Sequence, residues 1–164
     1  MTRLDGWRTA FAIGCIVLTG AAAQGASDHS IALLHRSIDE TGSDDAEMYL
    51  RRTADGPWRL RWAVGGSVSD EGALWAGAGA VLPLAGMEGG GFFAAASFMP
   101  GLYARGGGPD LGHAVEFRSG FEAGYAHRSG LRISVVVDHL SNGGLGDVNP
   151  GSDAIGLRIA VPLR

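Results

Sequence analysis

A short stretch near the C-terminus, DHLSNGGLGDVNPGSDAIGL (138–157), contains the three residue types of a serine hydrolase. Ser141 follows His139 by two residues, and Asp153 lies twelve residues beyond the serine. A serine hydroxyl is a weak nucleophile until a base accepts its proton, and a carboxylate orients that base. This pattern predicts Ser141 as the nucleophile, His139 as the general base and Asp153 as the orienting acid.

The residues after the serine can stabilise the negative charge that forms on an ester during attack. Asn142 offers a side-chain amide, and Gly143 and Gly144 offer backbone N–H groups. One such donor typically lowers the barrier by about 3–4 kcal/mol. We predict an oxyanion hole formed by Asn142 and Gly144, with help from Gly143.

The first 23 residues predict a secretory signal peptide, which leaves residues 24–164 as the folded domain. A short basic start precedes the apolar stretch Thr9–Ala23, which ends in small residues and is too short to span a membrane as a helix. We expect cleavage near Ala23, with Ala26 as the alternative.

The composition of the exported part argues against a nucleic-acid partner and against cysteine chemistry. Without residues 1–23, the 13 basic and 17 acidic residues become 11 and 16, a net charge of −5, and the chain has no lysine. Such a balance disfavours binding to a phosphate backbone. The single cysteine, Cys15, lies in the predicted signal peptide, so we expect no disulfide and no reactive thiol after export.

Strand periodicity dominates the rest of the chain and predicts an all-β fold of eight antiparallel strands. Large apolar residues alternate with charged, polar or small residues in four segments, namely Trp58–Val64, Val115–Tyr125, Leu131–Asp138 and Ala154–Leu163. Four others alternate less cleanly: Ser30–Ile38, Ala46–Thr53, Ala73–Leu84 and Phe92–Tyr103.

The side of the barrel to which the charged face of these strands points decides whether the barrel is soluble or transmembrane. Charges outside an apolar core would indicate a soluble barrel, whereas charges inside an apolar belt are typical of a transmembrane barrel. With the signal peptide, the pattern favours an eight-stranded transmembrane β-barrel in the bacterial outer membrane. Since side chains just fill such an interior, its charges must pair. The predicted interior set is Arg59, Arg61, Arg118, Arg132, Arg158, Glu116, Glu122 and Asp138. The predicted interface or belt aromatics are Trp58, Trp62, Trp75, Tyr103 and Tyr125.

Strand parity places the candidate catalytic residues on the lipid-facing surface. His139 and Ser141 share the parity of Val137, and Asp153 shares that of Ile155. Polar groups are costly beside hydrocarbon, so their position suggests a substrate that is itself a lipid of the outer leaflet.

At these residues the chain resembles the outer-membrane lipid A 3-O-deacylases, the PagL-like family. HLSN (139–142), NPG (149–151) and Asp153 match the family's His-x-Ser-Asn at a strand end, its Asn-x-Gly turn and the carboxylate that opens its last strand. The resemblance extends over Phe92–Leu163. One departure is the acid, which is often glutamate in the family and is aspartate here.

This resemblance implies an eight-stranded barrel that removes the 3-hydroxyacyl chain ester-linked at position 3 of lipid A, without a metal or other cofactor. It implies His139, Ser141 and Asp153 as the triad and Asn142 as part of the oxyanion hole. The expected partner is lipid A or lipopolysaccharide of the outer leaflet. Two rival functions stay open: a non-catalytic barrel with a structural or adhesive role, and an outer-membrane phospholipase. A homodimer is compatible with the sequence but does not follow from it.

Overall fold

The computed structural model describes residues 27–38, 43–87 and 90–163, which form eight strands and one short 3-10 helix, Pro57–Arg59. The strands are β1 Ser27–Ile38, β2 Ser43–Asp55, β3 Arg61–Ser69, β4 Leu74–Ala85, β5 Gly91–Ala104, β6 Val115–Ala126, β7 Arg132–Ser141 and β8 Ser152–Leu163. The predicted signal peptide, residues 1–23, lies outside the described residues. Within them, no helix is long and apolar enough to cross a membrane.

Each strand pairs antiparallel with its neighbour in sequence, and β1 also pairs with β8. The sheet is therefore a closed barrel, which confirms the predicted eight-stranded antiparallel fold. Closure leaves no unpaired sheet edge, and a membrane-spanning sheet requires this because hydrocarbon offers no hydrogen bonds to a free backbone.

The alternation in sequence becomes an alternation between the barrel interior and its outer surface. On β7, Arg132, Ser134 and Asp138 are buried, whereas Ile133 and Val135 are about half exposed. The outer surface is thus apolar, as in transmembrane barrels, and the interior holds polar and charged side chains beside an apolar cluster that includes Tyr49, Met99 and Val136.

Most of the buried charges of the interior are held in ion pairs, but the expected pairing is wrong for Glu116, whose buried carboxylate oxygens have no hydrogen-bond partner among the described residues. Arg36 and Arg118 both bind Glu47, and Arg118 also lies 3.4 Å from Asp138. A second group joins Glu122 to Arg51 at 2.8 Å and to Arg158 at 2.9 Å. Removing one partner of a buried ion pair typically destabilises a protein by about 3–5 kcal/mol, because the other charge stays buried without a partner. These contacts therefore hold together the strands whose outward faces form the outer surface.

Two expectations about the segment Trp58–Val64 are wrong. The predicted strand Trp58–Val64 begins only at Arg61, because Pro57 starts a tight turn in which the Leu60 N–H donates to the Pro57 carbonyl. Arg59 is therefore exposed in that turn and lies outside the interior charge network.

Two of the five predicted belt aromatics face inward. Trp75 is 2% exposed, and its indole N–H donates to the Glu116 carbonyl at 3.1 Å. Tyr103 is partly buried, and its hydroxyl donates to the Pro109 carbonyl at 2.9 Å. Their strand parity places them inside, where the polar end of each side chain finds a backbone acceptor.

Candidate active site

The strand register brings His139 and Asp153 together. The two residues are direct cross-strand partners on β7 and β8, and both side chains point outward. His139 Nδ1 lies 2.8 Å from Asp153 Oδ1. A carboxylate accepts the Nδ1–H, so Nε2 carries the free lone pair of the neutral imidazole and can act as a base.

The predicted outward position of the pair is correct. The side chains of His139 and Asp153 are 52% and 71% exposed, at the strand ends beside the long β7–β8 loop; this is the outer end, because the longer loops of outer-membrane barrels are extracellular. Their neighbours on the same face are Val137 and Ile155, at 43% and 54% exposure. The site is therefore open to the surface that contacts lipid.

Ser141 is the last residue of β7 and lies on the same outward face as His139. Residues two apart on a strand are separated by roughly 6.6 Å along the backbone, within reach of an imidazole. The structure shows no hydrogen bond between these two described side chains. Catalytic hydrogen bonds are often long in enzymes without substrate and shorten when the substrate binds.

Two donors converge on the Ser141 hydroxyl oxygen. The Gly143 N–H donates to it at 3.1 Å, and Asn149 Nδ2 donates at 3.3 Å. The side-chain Oδ1 of Asn149 accepts the Asn142 backbone N–H at 2.9 Å, which fixes the side-chain amide so that its NH₂ faces the serine. An oxyanion formed by attack of Ser141 would arise beside these donors.

The predicted oxyanion donors Asn142 and Gly144 have other partners. Asn142 is fully buried, and its amide hydrogens go to the carbonyls of Leu111 and Val148 at 2.9 and 2.8 Å. The Gly144 N–H donates to Asn142 Oδ1 at 2.9 Å. Since Asn142 directly follows outward-facing Ser141, strand parity turns it inward, where it ties the loop after β7 to the β5–β6 loop.

Asn149 is the site residue that reasoning from the sequence did not assign. Its NPG context indicates a turn, and an asparagine before a proline is common in turns. Only the folding of the loop after β7 brings its amide to the serine.

Two glycines adopt backbone conformations that the site requires. Gly143 has φ +64°, and a Cβ there would lie 3.1 Å from the Phe117 ring. Gly151 has φ +65°, and a Cβ there would lie 3.1 Å from His139 Cε1. Both lie in the left-handed region that favours glycine, and Gly151 leaves space for the imidazole beside Asp153.

A shallow groove of about 640 Å³ crosses the outer surface at the site. Its lining includes His139 and Asp153, the apolar side chains Ala96, Phe121, Val137 and Ile155, the serines Ser97 and Ser119 on β5 and β6, and His35 and Ser37 on β1. A volume of this order is typical of sites for small organic ligands. Among the described residues, no cluster of three or more His, Cys, Asp or Glu side chains is arranged to hold a metal.

Comparison with known proteins decides the family. The family model described as lipid A 3-O-deacylase (PagL) matches residues 45–162. The chain belongs to this family. It is therefore an ester hydrolase of the outer membrane, as the sequence resemblance implied. No curated protein has a sequence that matches the chain significantly.

Solved structures share the fold. A crystal structure of the outer membrane enzyme PagL superposes with a TM-score of 0.69 at 22% identity, covering 83% of this chain and 99% of that one. Neisserial surface protein A matches with a TM-score of 0.54 at 13% identity, covering 87% and 99%. A de novo designed transmembrane β-barrel gives 0.55 at 10% identity, covering 88% and 100%. At these identities the matches show the barrel fold alone.

Proposed function

We propose that this protein removes the 3-hydroxyacyl chain ester-linked at position 3 of lipid A, using Ser141, His139 and Asp153 as a catalytic triad. The 2.8 Å contact between His139 and Asp153 on the lipid-facing surface carries the proposal. A lipid substrate reaches this pair from the outer leaflet without leaving the membrane.

The first step is attack of Ser141 on the ester carbonyl. His139 Nε2 accepts the serine proton, and the imidazolium is stabilised by Asp153. The carbonyl oxygen becomes an oxyanion, which we assign to the Gly143 N–H and the Asn149 amide because both donate at the Ser141 oxygen.

The second step releases the sugar and then the fatty acid. The tetrahedral intermediate collapses as His139 returns the proton to the sugar oxygen, which leaves as a hydroxyl. Water, deprotonated by His139, then attacks the acyl-Ser141 ester; the acyl–Oγ bond breaks, His139 returns the proton to Ser141 Oγ, and the fatty acid leaves. The chain's own residues perform every proton transfer in this scheme.

The test is product analysis with the purified protein in detergent. We expect 3-hydroxy fatty acid and 3-O-deacylated lipid A as products, detected by mass spectrometry, and no lysophospholipid from phospholipid vesicles. Release of fatty acid from phospholipid but not from lipid A would favour the phospholipase. Release from neither substrate would favour a non-catalytic barrel.

Asn149 provides a separate test of the oxyanion assignment. Asn149→Ala should lower kcat by about 10²–10³-fold with little change in KM, because one oxyanion donor is lost. Asn149→Asp keeps the acceptor for the Asn142 N–H but cannot donate, so it should be equally impaired. If Asn149→Asp kept near-normal kcat, Asn149 would only hold the loop in place.

A further inference from the structure

The groove at the triad extends beyond the catalytic residues onto β1. The register places Ser37 directly opposite Asp153, and Asp44 of β2 directly opposite Ser37. His35 lies on the same outward face of β1, and its Nε2 lies 3.8 Å from Asp44 Oδ1. Polar side chains thus form a continuous row from His139 across β8 and β1 to β2.

This extension repeats the His-x-Ser spacing of the triad, but its carboxylate follows the serine by seven residues instead of twelve, and its geometry differs. His35 and Ser37 form a second His-x-Ser at the outer end of a strand, followed by a carboxylate at the start of the next one. However, 3.8 Å is too long for a hydrogen bond, and Nε2 rather than Nδ1 faces the carboxylate. The second set therefore lacks the oriented base of a hydrolase and is better suited to binding.

The position of these side chains indicates that they have a ligand. The side chains of His35 and Asp44 are 63% and 60% exposed on the outward face of the barrel, so both are open to a ligand. Within the described part of the chain, the Ser37 hydroxyl has no hydrogen-bond partner. A polar ligand at the outer rim would supply the missing hydrogen bonds.

The charges identify the chemistry of that ligand. Carboxylates stand on both sides of Ser37, at Asp44 and Asp153, and would repel a phosphate. Hydroxyl groups, by contrast, can donate to carboxylates and exchange hydrogen bonds with imidazole and serine. The row therefore fits the uncharged, hydroxyl-bearing part of a sugar.

The groove has two arms, one on β5 and β6 and one on β1. They differ in polarity as the acyl chain and the sugar of a glycolipid do. The arm on β5 and β6 is the more apolar one, since Ala96 and Phe121 line it together with two serines, Ser97 and Ser119, whereas His35 and Ser37 make the arm on β1 polar. We propose that His35, Ser37 and Asp44 form the subsite for the sugar hydroxyls of the lipid substrate, while its acyl chain lies in the apolar arm. This subsite deepens the proposed function and rests on it.

The experiment measures binding in the Ser141→Ala background, where the substrate stays intact. Native mass spectrometry in detergent would give Kd for lipid A, for lipid A with its phosphates removed, and for a phospholipid without sugar. Adding His35→Ala or Ser37→Ala should raise Kd about tenfold for both forms of lipid A, the loss of roughly one hydrogen bond to ligand. Kd for the phospholipid should not change.

His29→Ala is the matched control, since His29 faces outward from the same strand at the opposite end of the barrel. It should leave every Kd unchanged. Unchanged lipid A binding in the His35 and Ser37 variants would overturn the subsite, and so would an effect that disappears when the phosphates are removed. Turnover by the protein with Ser141 intact is measured separately, so absent hydrolysis contradicts the proposed function and not the binding result.

Discussion

Ser141→Ala is expected to lower the rate of lipid A deacylation by about 10⁶-fold, the loss seen when a serine hydrolase loses its nucleophile. Without Oγ no acyl-enzyme forms, and the remaining donors act only on direct attack by water. The measurement is 3-hydroxy fatty acid release from lipid A under single-turnover conditions. Heat-modifiable gel mobility should show that the variant is a folded barrel.

Ser129→Ala is a demanding control for this result. Ser129 also follows a histidine by two residues, and its Oγ lies 2.9 Å from His127 Nδ1, but both residues belong to the turn after β6 at the far end of the barrel. Its replacement should leave deacylation unchanged.

His139→Ala should be as inactive as Ser141→Ala, because the two residues act as a unit. Substantial turnover by Ser141→Ala would show that another group is the nucleophile.

Asp153→Asn should lower turnover by about 10⁴-fold while leaving the barrel intact. The amide keeps the shape of the side chain, but its NH₂ favours the histidine tautomer with the proton on Nε2, which cannot accept the serine proton. The rate of fatty acid release by this variant and by the parent protein, in the same detergent, provides the measurement.

Asp153→Glu is the companion variant and should remain active. Glutamate is often the acid in this family, and either carboxylate can accept the Nδ1–H that Asp153 accepts at 2.8 Å. The variant also tests the length of the side chain, since the exposed position leaves space for one more methylene. Equal rates for the Asn and Glu variants would show that Asp153 does not orient the base.

The sequence alone was sufficient to predict the barrel and which face of the regular strands points outward. A strand has a period of two, so the alternation of Val135 and Val137 with Ser134 and Asp138 already separates two faces. The same parity predicts that His139, Ser141 and Asp153 point outward, since side-chain direction on a regular strand follows from residue number. The prediction failed at Trp58 and Arg59, where Pro57 replaces the regular strand with a turn.

Only the tertiary structure decided which loop groups surround the serine. Asn142 and Asn149 are both asparagines near Ser141 in sequence. Nothing in the local sequence distinguishes an asparagine that donates to an oxyanion from one that holds the loop in place. The fold buries the Asn142 amide against the carbonyls of Leu111 and Val148 and turns the Asn149 amide toward the serine. A loop has no fixed period, so its side-chain directions depend on hydrogen bonds made across the fold.

Barrel closure likewise decided that β1 lines the groove beside His139 and Asp153. His35 and Ser37 are more than 100 residues from the triad in sequence, yet the pairing of β1 with β8 places Ser37 opposite Asp153. Alternation within a strand predicts which face a residue occupies, but it carries no information about the register between strands that are distant in sequence. That register depends on the packing and ion pairing of the whole interior, which only the closed barrel contains.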